Sequence, residues 1–146
     1  MPSYATIDDM FVYFRANELA QRSAPENPEV TGILLREALD NPSTAIDDSV
    51  LTALARIEIA LEDATLEMDS YFSVRYNLPF TDDATITVLR RPCADLARSK
   101  LFTEGMSTAQ QETVEAIRQW LRDVAMGRAS LPIAGAMTAD RSVLRV

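Results

Sequence analysis

The chain has 146 residues, the size of a single domain, and its formal net charge at pH 7 is −8. Apolar residues make up 47% and charged residues 25% of the chain, as in an ordinary globular protein, and no apolar run reaches the length of a membrane span. The single cysteine, Cys93, excludes an internal disulfide framework, and the N-terminal stretch lacks the basic and apolar regions of a signal peptide.

Charge is unevenly distributed along the chain. Residues 1–70 contain 14 acids and 4 arginines, a net charge of −10, whereas residues 71–146 contain 8 acids and 10 basic residues, a net charge of +2. An acidic protein does not wrap nucleic acid through phosphate contacts, because those contacts need a basic surface. An acidic surface can instead line a passage through which DNA slides, although solubility alone would also explain it.

The first helix is predicted to begin at Thr6, because Thr6 and Asp9 have the spacing of a capping box. Apolar residues at helical spacing extend this helix to residues 20–22. Residues 23–32 then read as a loop that contains two prolines and a glycine. A short helix is predicted over residues 33–39, and a second loop leads to residue 46.

The longest predicted element runs from Asp47 to Tyr76, a stretch without glycine or proline. Asp47 or Asp48 is expected to cap its start, and Pro79 follows its end. Such a helix would be roughly 40 Å long, as long as a small domain is wide, so the other helices are expected to pack against it. Its main apolar stripe consists of Val50, Leu54, Ile57, Leu61, Ala64, Met68, Tyr71 and Phe72.

A second apolar row lies to one side of the main stripe on the same helix. Its members are Leu51, Ala55, Ile59 and Leu66. A helix in a monomeric bundle usually needs only one stripe. The second row therefore indicates either a central helix that contacts other parts of its own chain on two sides, or a contact with another subunit.

The next helix is predicted over residues 84–103, with Pro92 in its middle, where a proline either kinks a helix or begins a new one. This helix carries four basic residues, Arg90, Arg91, Arg98 and Lys100. A basic run of this kind is usually a solvated face. The alternative is a surface that binds an acidic neighbour.

The last predicted helix starts at Ser107, which has capping-box spacing with Gln110, and ends with Gly127 as its C-terminal cap. Residues 128–146 contain proline, glycine and small residues and are predicted to be an extended arm, either docked on a partner or frayed. The predicted fold is therefore all-α. It is a bundle of about four helices around one long central helix, with a helical domain at residues 1–127 and the arm at residues 128–146.

Residues suited to catalysis or metal binding are scarce. The chain has no histidine, which removes the usual general base and the commonest metal ligand. Acid pairs such as Glu58/Glu62 and Asp63/Glu67 lack the histidines of a di-iron bundle, and no glycine-rich phosphate loop is present. We therefore expect a structural or binding protein, not an enzyme, with no catalytic residues, no cofactor and no metal.

Four stretches of the chain, in order, resemble one protein family. They are the opening YATIDDMFVYF, the segment LEDATLEMDSYFSVRYNLPF, the segment DLARSKLF and the ending RQWLRDVAMGRASLP. These stretches resemble the small virion protein of Mu-like phages and prophages, whereas residues 23–46 and Pro92 depart from the family pattern. The most specific matching positions are Tyr71, Arg75, Tyr76, Leu78 and Pro79 in the corner, and Trp120, Leu121, Gly127, Ser130 and Leu131 in the ending.

The resemblance implies a role in virus assembly, because the family is similar to the helical head–tail connector, or adaptor, proteins of tailed phages. It implies a homo-oligomeric ring, expected to have twelve subunits, that binds beneath the portal protein and extends the DNA channel. A tail terminator or tail-completion protein would bind on the tail side. DNA would pass through without sequence-specific binding, no membrane would be involved, and the protein would reside in the virion after assembly in the host cytoplasm.

Three groups of residues are assigned to these contacts from the resemblance and the residue patterns together. The predicted subunit interface consists of Leu51, Ile59, Leu66, Arg90, Arg91 and Arg98. The predicted channel-facing acids are Glu58, Glu62, Asp63 and Glu67. The predicted portal-binding arm includes Arg128, Leu131, Pro132, Ile133, Val143, Leu144 and Val146.

The acidic N-terminal half also supports an alternative function. The chain would then be an acidic soluble regulator or inhibitor that binds a DNA-binding protein by imitating the charge of DNA. This function requires acids on one continuous face, and the acids of the long helix are split across two flanks.

Overall fold

The computed structural model describes residues 2–42, 46–102 and 105–132. These residues form six α-helices and no β-strand, which confirms the all-α class but corrects the predicted number of about four helices. The helices are α1 (Ile7–Tyr13), α2 (Ala16–Ser23), α3 (Gly32–Asp40), α4 (Asp48–Phe72), α5 (Asp83–Leu101) and α6 (Thr108–Ala125).

The predicted first helix is in fact two helices, because the backbone is extended at Phe14 and Arg15. The predicted capping box is confirmed: Thr6 Oγ1 accepts a hydrogen bond from the Asp9 amide at 3.2 Å, and Asp9 Oδ2 accepts one from the Thr6 amide at 2.9 Å. The break after α1 lets the Phe14 side chain enter the core. Burial of this ring outweighs continued helical hydrogen bonding, a tertiary effect that helical spacing does not report.

α2 and α3 approach each other closely at Gly32. The Gly32 amide donates to Asn17 Oδ1 at 3.0 Å, and a Cβ atom at position 32 would lie 2.7 Å from the carbonyl carbon of Ala16. Thr31 caps α3, since its Oγ1 accepts a hydrogen bond from the Leu34 amide at 3.2 Å. The short helix predicted over residues 33–39 is confirmed, and Gly32 is its first residue because no side chain could fit there.

α4 has 25 residues and ends at Phe72, four residues before the predicted end. Residues 73–76 instead turn away from the helix axis and bury the Tyr76 ring, and the Leu78–Pro79 peptide bond that follows is cis. At the start of the helix, Asp47 occupies the capping position, but its side chain makes no capping hydrogen bond. α4 contacts each of the other five helices and packs most extensively against α5.

α5 continues through Pro92 without interruption. The proline has no N–H group, so the carbonyl oxygen of Val88 lacks its partner within the helix. Val88 is exposed, which lets water bind that oxygen. This exposure accounts for a proline in the middle of a 19-residue helix.

α6 has both of its predicted ends. Ser107 Oγ accepts a hydrogen bond from the Gln110 amide at 3.2 Å, and Gln110 Oε1 accepts one from the Ser107 amide at 3.0 Å. At the other end Gly127 has φ +84°, and the Arg128 amide donates to the Asp123 carbonyl at 2.7 Å. This hydrogen bond is the one that closes a Schellman cap, which requires the left-handed conformation that glycine adopts without strain.

Aromatic residues from three parts of the chain meet at the end of α4. Phe72 is fully buried, and its ring centroid lies 5.5 Å from that of Phe80 and 6.2 Å from those of Tyr4 and Trp120, each pair in an edge-to-face arrangement. Tyr76 packs edge-on against Phe80 at 5.9 Å. We call these five residues the aromatic cluster. It joins the N-terminal segment, the corner after α4 and α6.

Polar groups buried beside the aromatic cluster are hydrogen-bonded. The Tyr4 hydroxyl donates to the carboxylate of Asp69, and the Tyr4 amide donates to Thr65 Oγ1 at 3.1 Å. Thr65 Oγ1 also lies 3.5 Å from Sγ of Cys93, which is buried in the core as predicted. Burial raises the pKa of the Tyr4 hydroxyl and of the Cys93 thiol, so both groups keep their protons near neutral pH.

Candidate interaction surface

The outward side of α4 carries a row of exposed apolar residues. Leu51, Ile59 and Leu66 are 47%, 54% and 63% exposed, and the smaller Ala55 is exposed as well. At about 100° per residue, Leu66 lies half a helical turn from the fully buried Ile57, so the row faces away from the core. No described segment of the chain buries these side chains. Packing within the described residues therefore does not account for the second apolar row.

Acidic side chains lie on both edges of this row. By the same helical geometry, Glu58 and Glu62 lie on the Leu51 side and Asp63 lies on the Ile59 side. All three acids are exposed, and none of them forms an ion pair with another described residue. They therefore leave negative charge uncompensated around an apolar centre. We use the name α4 outer face for Leu51, Ile59, Leu66, Glu58 and Glu62.

Glu67 lies on the other side of α4 from Glu58 and contacts cations from two other helices. Lys100 Nζ of α5 lies 2.9 Å from Glu67 Oε1, and Arg118 Nε of α6 lies 2.8 Å from Glu67 Oε2. Burial by itself would raise the pKa of Glu67, but hydrogen bonds from Arg118 and Lys100 outweigh burial and hold the pKa below its usual value. The four acids predicted to face a channel thus do not share one surface, since Glu67 joins three helices of its own chain.

Glu67→Gln is expected to destabilise the fold more at pH 7 than at pH 3. A carboxyl group whose folded pKa is lowered contributes stability above its unfolded pKa of about 4.3, and this contribution is lost as the pH falls through the folded pKa. Ion pairs with partly exposed partners contribute little, so we expect a loss of about 1 kcal/mol at pH 7. Urea unfolding of the wild type and of Glu67→Gln, each at pH 7 and at pH 3, measures this loss in the free energy of unfolding.

Glu62→Gln is the matched control for this prediction. Glu62 lies on the same helix, five residues before Glu67, but is exposed and makes no ion pair with a described residue. Its substitution should change the free energy of unfolding little at either pH, because surface substitutions away from ion pairs usually have small effects on stability. A loss in Glu67→Gln that is equal at pH 7 and pH 3 would contradict the electrostatic explanation.

Arg98, predicted to face a neighbouring subunit, has its carboxylate partner within its own chain. Its Nε and Nη2 atoms donate to the two carboxylate oxygens of Glu18 on α2, at 2.8 Å and 3.4 Å. The guanidinium also lies 4.5 Å from the centroid of the Phe14 ring. Sequence reasoning missed this pair because Glu18 is 80 residues away along the chain, and no local spacing relates the two.

Arg90 and Arg91, the other two arginines of the predicted interface, are more exposed. Arg90 Nε lies 3.7 Å from Asp9 Oδ2 on α1, and Arg91 Nε lies 3.3 Å from Asp95 Oδ2 one turn further along α5. The Arg91 guanidinium also stacks 4.6 Å from the centroid of the Tyr13 ring. Exposed pairs of this kind contribute about 0–1 kcal/mol, so both arginines can exchange their partners for others at little cost.

The first part of the predicted portal-binding arm is fixed to the helical domain. Arg128 Nη2 lies 2.9 Å from Asp123 Oδ1, while Leu131 is buried and its amide donates to the Tyr76 hydroxyl at 3.1 Å. Pro132 is exposed. The arm therefore leaves the domain at the corner that follows α4. Its other predicted contacts, Ile133, Val143, Leu144 and Val146, lie outside the described residues.

The α4 outer face combines exposed apolar side chains with charged residues at their edge. An apolar centre with a charged rim, as on the α4 outer face, is how protein–protein interfaces are built. Over residues 2–42, 46–102 and 105–132, no three Asp, Glu or Cys side chains converge as a metal site requires. No helix in these ranges has the length and apolar character to cross a membrane.

Comparison with known families places the chain in a viral setting. A family model described as Bacteriophage Mu, Gp36 matches residues 4–144, a range that spans all six helices, the corner after α4 and the Gly127 end of α6. The chain belongs to this family. The match extends over nearly the whole chain and therefore confirms the resemblance to Mu-like phage proteins. A comparison with curated proteins gives no match.

Val12 and Val88 are among the exposed apolar residues of this Mu Gp36 family protein that sequence reasoning did not assign to a surface. Val12 on α1 is 77% exposed and Val88 on α5 is 46% exposed. A helical wheel contains the signal: Val12 follows Asp8 by four residues, and Val88 precedes Arg91 by three, so each valine lies on a charged side of its helix. Isolated apolar residues on a charged side are easily taken for ordinary surface.

Proposed function

We propose that this Mu Gp36 family protein is a structural virion protein, a head–tail connector or adaptor. Residues 1–127 form a helical bundle around α4, and copies of this bundle form a ring, with twelve subunits, beneath the portal protein. The ring extends the DNA channel and gives the tail terminator or tail-completion protein a surface on which to dock. The protein acts at the head–tail interface by binding alone, without catalysis and without a cofactor.

The observation that supports the proposal most is the α4 outer face. Leu51, Ile59 and Leu66 present apolar side chains to solvent on the longest helix of the domain. Fully burying one such side chain is worth roughly 1.5–3 kcal/mol, so a neighbour that covered all three would gain several times the thermal energy before the costs of association. In a chain from a phage family, repeated contacts of this kind favour an assembled ring.

Negative charge supports the passage of DNA through the ring. Glu58, Glu62 and Asp63 have no ion-pair partner among the described residues, whereas Glu67 is neutralised by Lys100 and Arg118. Carboxylates that face the channel repel phosphates, so DNA slides past without binding. Of the four acids assigned to the channel, the three that form no ion pair with a described residue provide this charge, whereas Glu67 joins α4 to α5 and α6.

Native mass spectrometry of the purified chain, alone and mixed with the portal protein of the same phage, tests the connector function. A ring stoichiometry in either sample supports it, and a ring that forms only with the portal shows that assembly is templated. A chain that stays monomeric and does not bind the portal contradicts it.

Deletion of residues 133–146 is expected to weaken portal binding by about 100-fold or more, equivalent to about 2.7 kcal/mol, while the fold is kept. The deletion begins after Pro132 because Leu131 is buried and its amide binds the Tyr76 hydroxyl, so a shorter chain would also lose core contacts. Affinity for the portal is measured by calorimetry, and thermal unfolding serves as the control for folding. If the deletion left the affinity for the portal unchanged, residues 133–146 would not contribute to portal binding.

The second candidate function is an acidic regulator that binds a DNA-binding protein. The carboxylates of Glu58, Glu62 and Asp63 favour it, because they form no ion pair with another described residue and can bind a basic partner. Their distribution on two edges of an apolar row argues against it, since imitation of DNA needs a continuous array of negative charge. A monomer that ignores the portal but binds a basic DNA-binding protein of the same phage would support this function.

A further inference from the structure

A groove lies between the end of α3 and the start of α4, and its volume is about 290 Å³. Its lining includes the apolar residues Leu34, Ala38, Ile46 and Val50 and the polar residues Glu37, Asn41 and Asp47. Leu34 is 38% exposed, so the apolar lining is open to solvent. We use the name α3–α4 groove for this site.

The rim of the α3–α4 groove is acidic. Residues 37–48 contain four acids and no lysine or arginine, and Glu37 and Asp47 are the two acids that line the groove. Both side chains are exposed and form no ion pair with another described residue. Asp47 occupies the capping position of α4, but its side chain makes no capping hydrogen bond. The groove therefore fits an occupant that combines an apolar side chain with cations on either side of it.

The C-terminal arm contains a segment with this combination. Its sequence is Arg-Ser-Val-Leu-Arg at residues 141–145, which lie outside the described residues. In the extended conformation that the sequence predicts for the arm, alternate side chains point to the same side, so Arg141, Val143 and Arg145 share one side. That side presents a valine between two arginines, and it complements an apolar groove with two carboxylates at its rim.

The groove of the same copy lies far from the start of the arm. The Leu131 amide is bound to the Tyr76 hydroxyl beyond the end of α4, whereas Val50 lines the groove near the beginning of α4. From Val50 to Phe72 the helix spans roughly 33 Å, at about 1.5 Å per residue. A flexible chain of about 12 residues covers about 20 Å on average, so Val143 would reach this groove only along a nearly extended path. A second copy can bring its groove within the average reach of the arm.

We propose that the arm of one copy binds the α3–α4 groove of the next copy in the ring. Val143 enters the apolar part of the groove, and Arg141 and Arg145 bind Glu37 and Asp47. This inference rests on the proposed ring function and adds a second contact to that of the α4 outer face. An arm and a groove on different copies are unlike surfaces, and a contact of this kind generates a ring when the repeated rotation closes.

The proposal changes one assignment within the arm. Val143 moves from the portal contact to the contact between copies. Leu144 and Val146 lie on the other side of the extended segment and remain assigned to the portal, as does Ile133. The arm would then be held between the next copy and the portal, which couples portal binding to ring assembly.

Charge reversal on both sides of the contact tests the inference. The groove variant combines Glu37→Lys with Asp47→Lys, the arm variant combines Arg141→Glu with Arg145→Glu, and a third protein carries all four substitutions. Like charges repel across an interface, so the groove variant and the arm variant should each need about tenfold more protein, or more, to assemble. The protein with all four substitutions should assemble within about threefold of the wild-type concentration, because the attraction is restored. Sedimentation velocity over a range of concentrations, with and without the portal protein, measures assembly.

Two further variants separate the groove contact from effects of net charge and of folding. Asp83→Lys with Glu112→Lys is the matched control, because both acids are exposed, lie near the starts of α5 and α6, and form no ion pair with a described residue. It should assemble as the wild type does. Glu37→Gln with Asp47→Asn removes the charges of the groove but keeps the side-chain shapes, and it should weaken assembly by about threefold even if the lysine variant fails to fold. Thermal unfolding of every variant checks the fold.

Other outcomes separate this inference from the proposed function. If the wild type forms a ring that neither the groove variant nor the arm variant weakens, the inference is wrong and the connector function stands. If both variants weaken assembly but their combination does not restore it, the arm and the groove do not meet, and the inference is again wrong. Reversals that change only thermal stability, with recovery in the combination, would place the arm in the groove of its own copy and contradict the proposal. If the wild type forms no assembly with or without the portal, both the inference and the connector function are wrong.

Discussion

Leu66→Glu is expected to abolish ring assembly while the chain stays folded. Leu66 is more exposed than Leu51 and Ile59, so a glutamate there remains in water in the monomer and has little effect on stability. In the ring the same glutamate would be buried among apolar side chains beside Glu62. The interface would lose the transfer free energy of a leucine, roughly 1.5–3 kcal/mol, and would also bear the cost of burying an unpaired charge.

This loss is repeated at every contact around the ring, so its effect on assembly is large. A change of about 1.4 kcal/mol at one contact corresponds to a tenfold change in its dissociation constant, and several contacts must form before the ring closes. Sedimentation velocity of wild type and variant over a range of concentrations, with the portal protein present, measures the effect. If Leu66→Glu formed rings at the same protein concentration as the wild type, the α4 outer face would be excluded from the interface.

Val74→Glu is the matched control for this substitution. Val74 is 66% exposed, close to the value for Leu66, but it lies beyond the end of α4 and outside the apolar row. The same charge placed there should leave both the fold and the ring intact. The comparison separates the effect of a new glutamate on the α4 outer face from the effect of one more negative charge on an already acidic chain.

Features of the fold that depend on neighbouring residues were predictable from the sequence. The capping boxes of Thr6 with Asp9 and of Ser107 with Gln110 span three residues each, and the Gly127 cap depends on the backbone preference of a single residue. The main stripe of α4 was predictable because burial along one helix repeats every three or four residues. Each of these signals is local, and each is found in the structure.

Features that depend on residues far apart in the chain were not predictable. The break between α1 and α2 exists because Phe14 packs into a core formed by later helices, and helical spacing continues through it without a signal. The role of Glu67 depends on Lys100 and Arg118, which lie 33 and 51 residues away. The pattern showed an acid on a helix flank, but only the fold shows that cations from two other helices reach it.

The candidate interface lies between these two cases. Its apolar half, Leu51, Ile59 and Leu66, was predictable because a second row on one helix is a local pattern, and all three residues are exposed. Its basic half was predicted only by charge, which grouped Arg98 with Arg90 and Arg91. Whether an arginine is free to meet a neighbour depends on its partner within the chain, and for Arg98 that partner is on another helix.

Phe72→Ala is expected to destabilise the protein by about 3–5 kcal/mol, because Phe72 is one of the largest fully buried side chains. Phe72 is fully buried, and its ring makes edge-to-face contacts with Tyr4, Phe80 and Trp120. The variant loses the transfer free energy of the ring, leaves a cavity, and loses aromatic pairs worth about 0.5–1.5 kcal/mol each beyond burial. Domains of this size have total stabilities of about 5–15 kcal/mol, so a large part of the stability depends on this residue.

The consequence of Phe72→Ala extends beyond stability, because the aromatic cluster connects the end of α4 to the segments around it. Tyr76 belongs to the cluster, and its hydroxyl accepts a hydrogen bond from the amide of Leu131, where the arm leaves the domain. Chemical unfolding should therefore show a lower midpoint with a similar dependence on urea, and proteolysis should cut after residue 127 faster than in wild type. Val74→Ala, two residues further along and exposed, should change neither. If Phe72→Ala lowered the free energy of unfolding by less than about 1 kcal/mol, the aromatic cluster would not be what packs the end of α4 against the arm and α6.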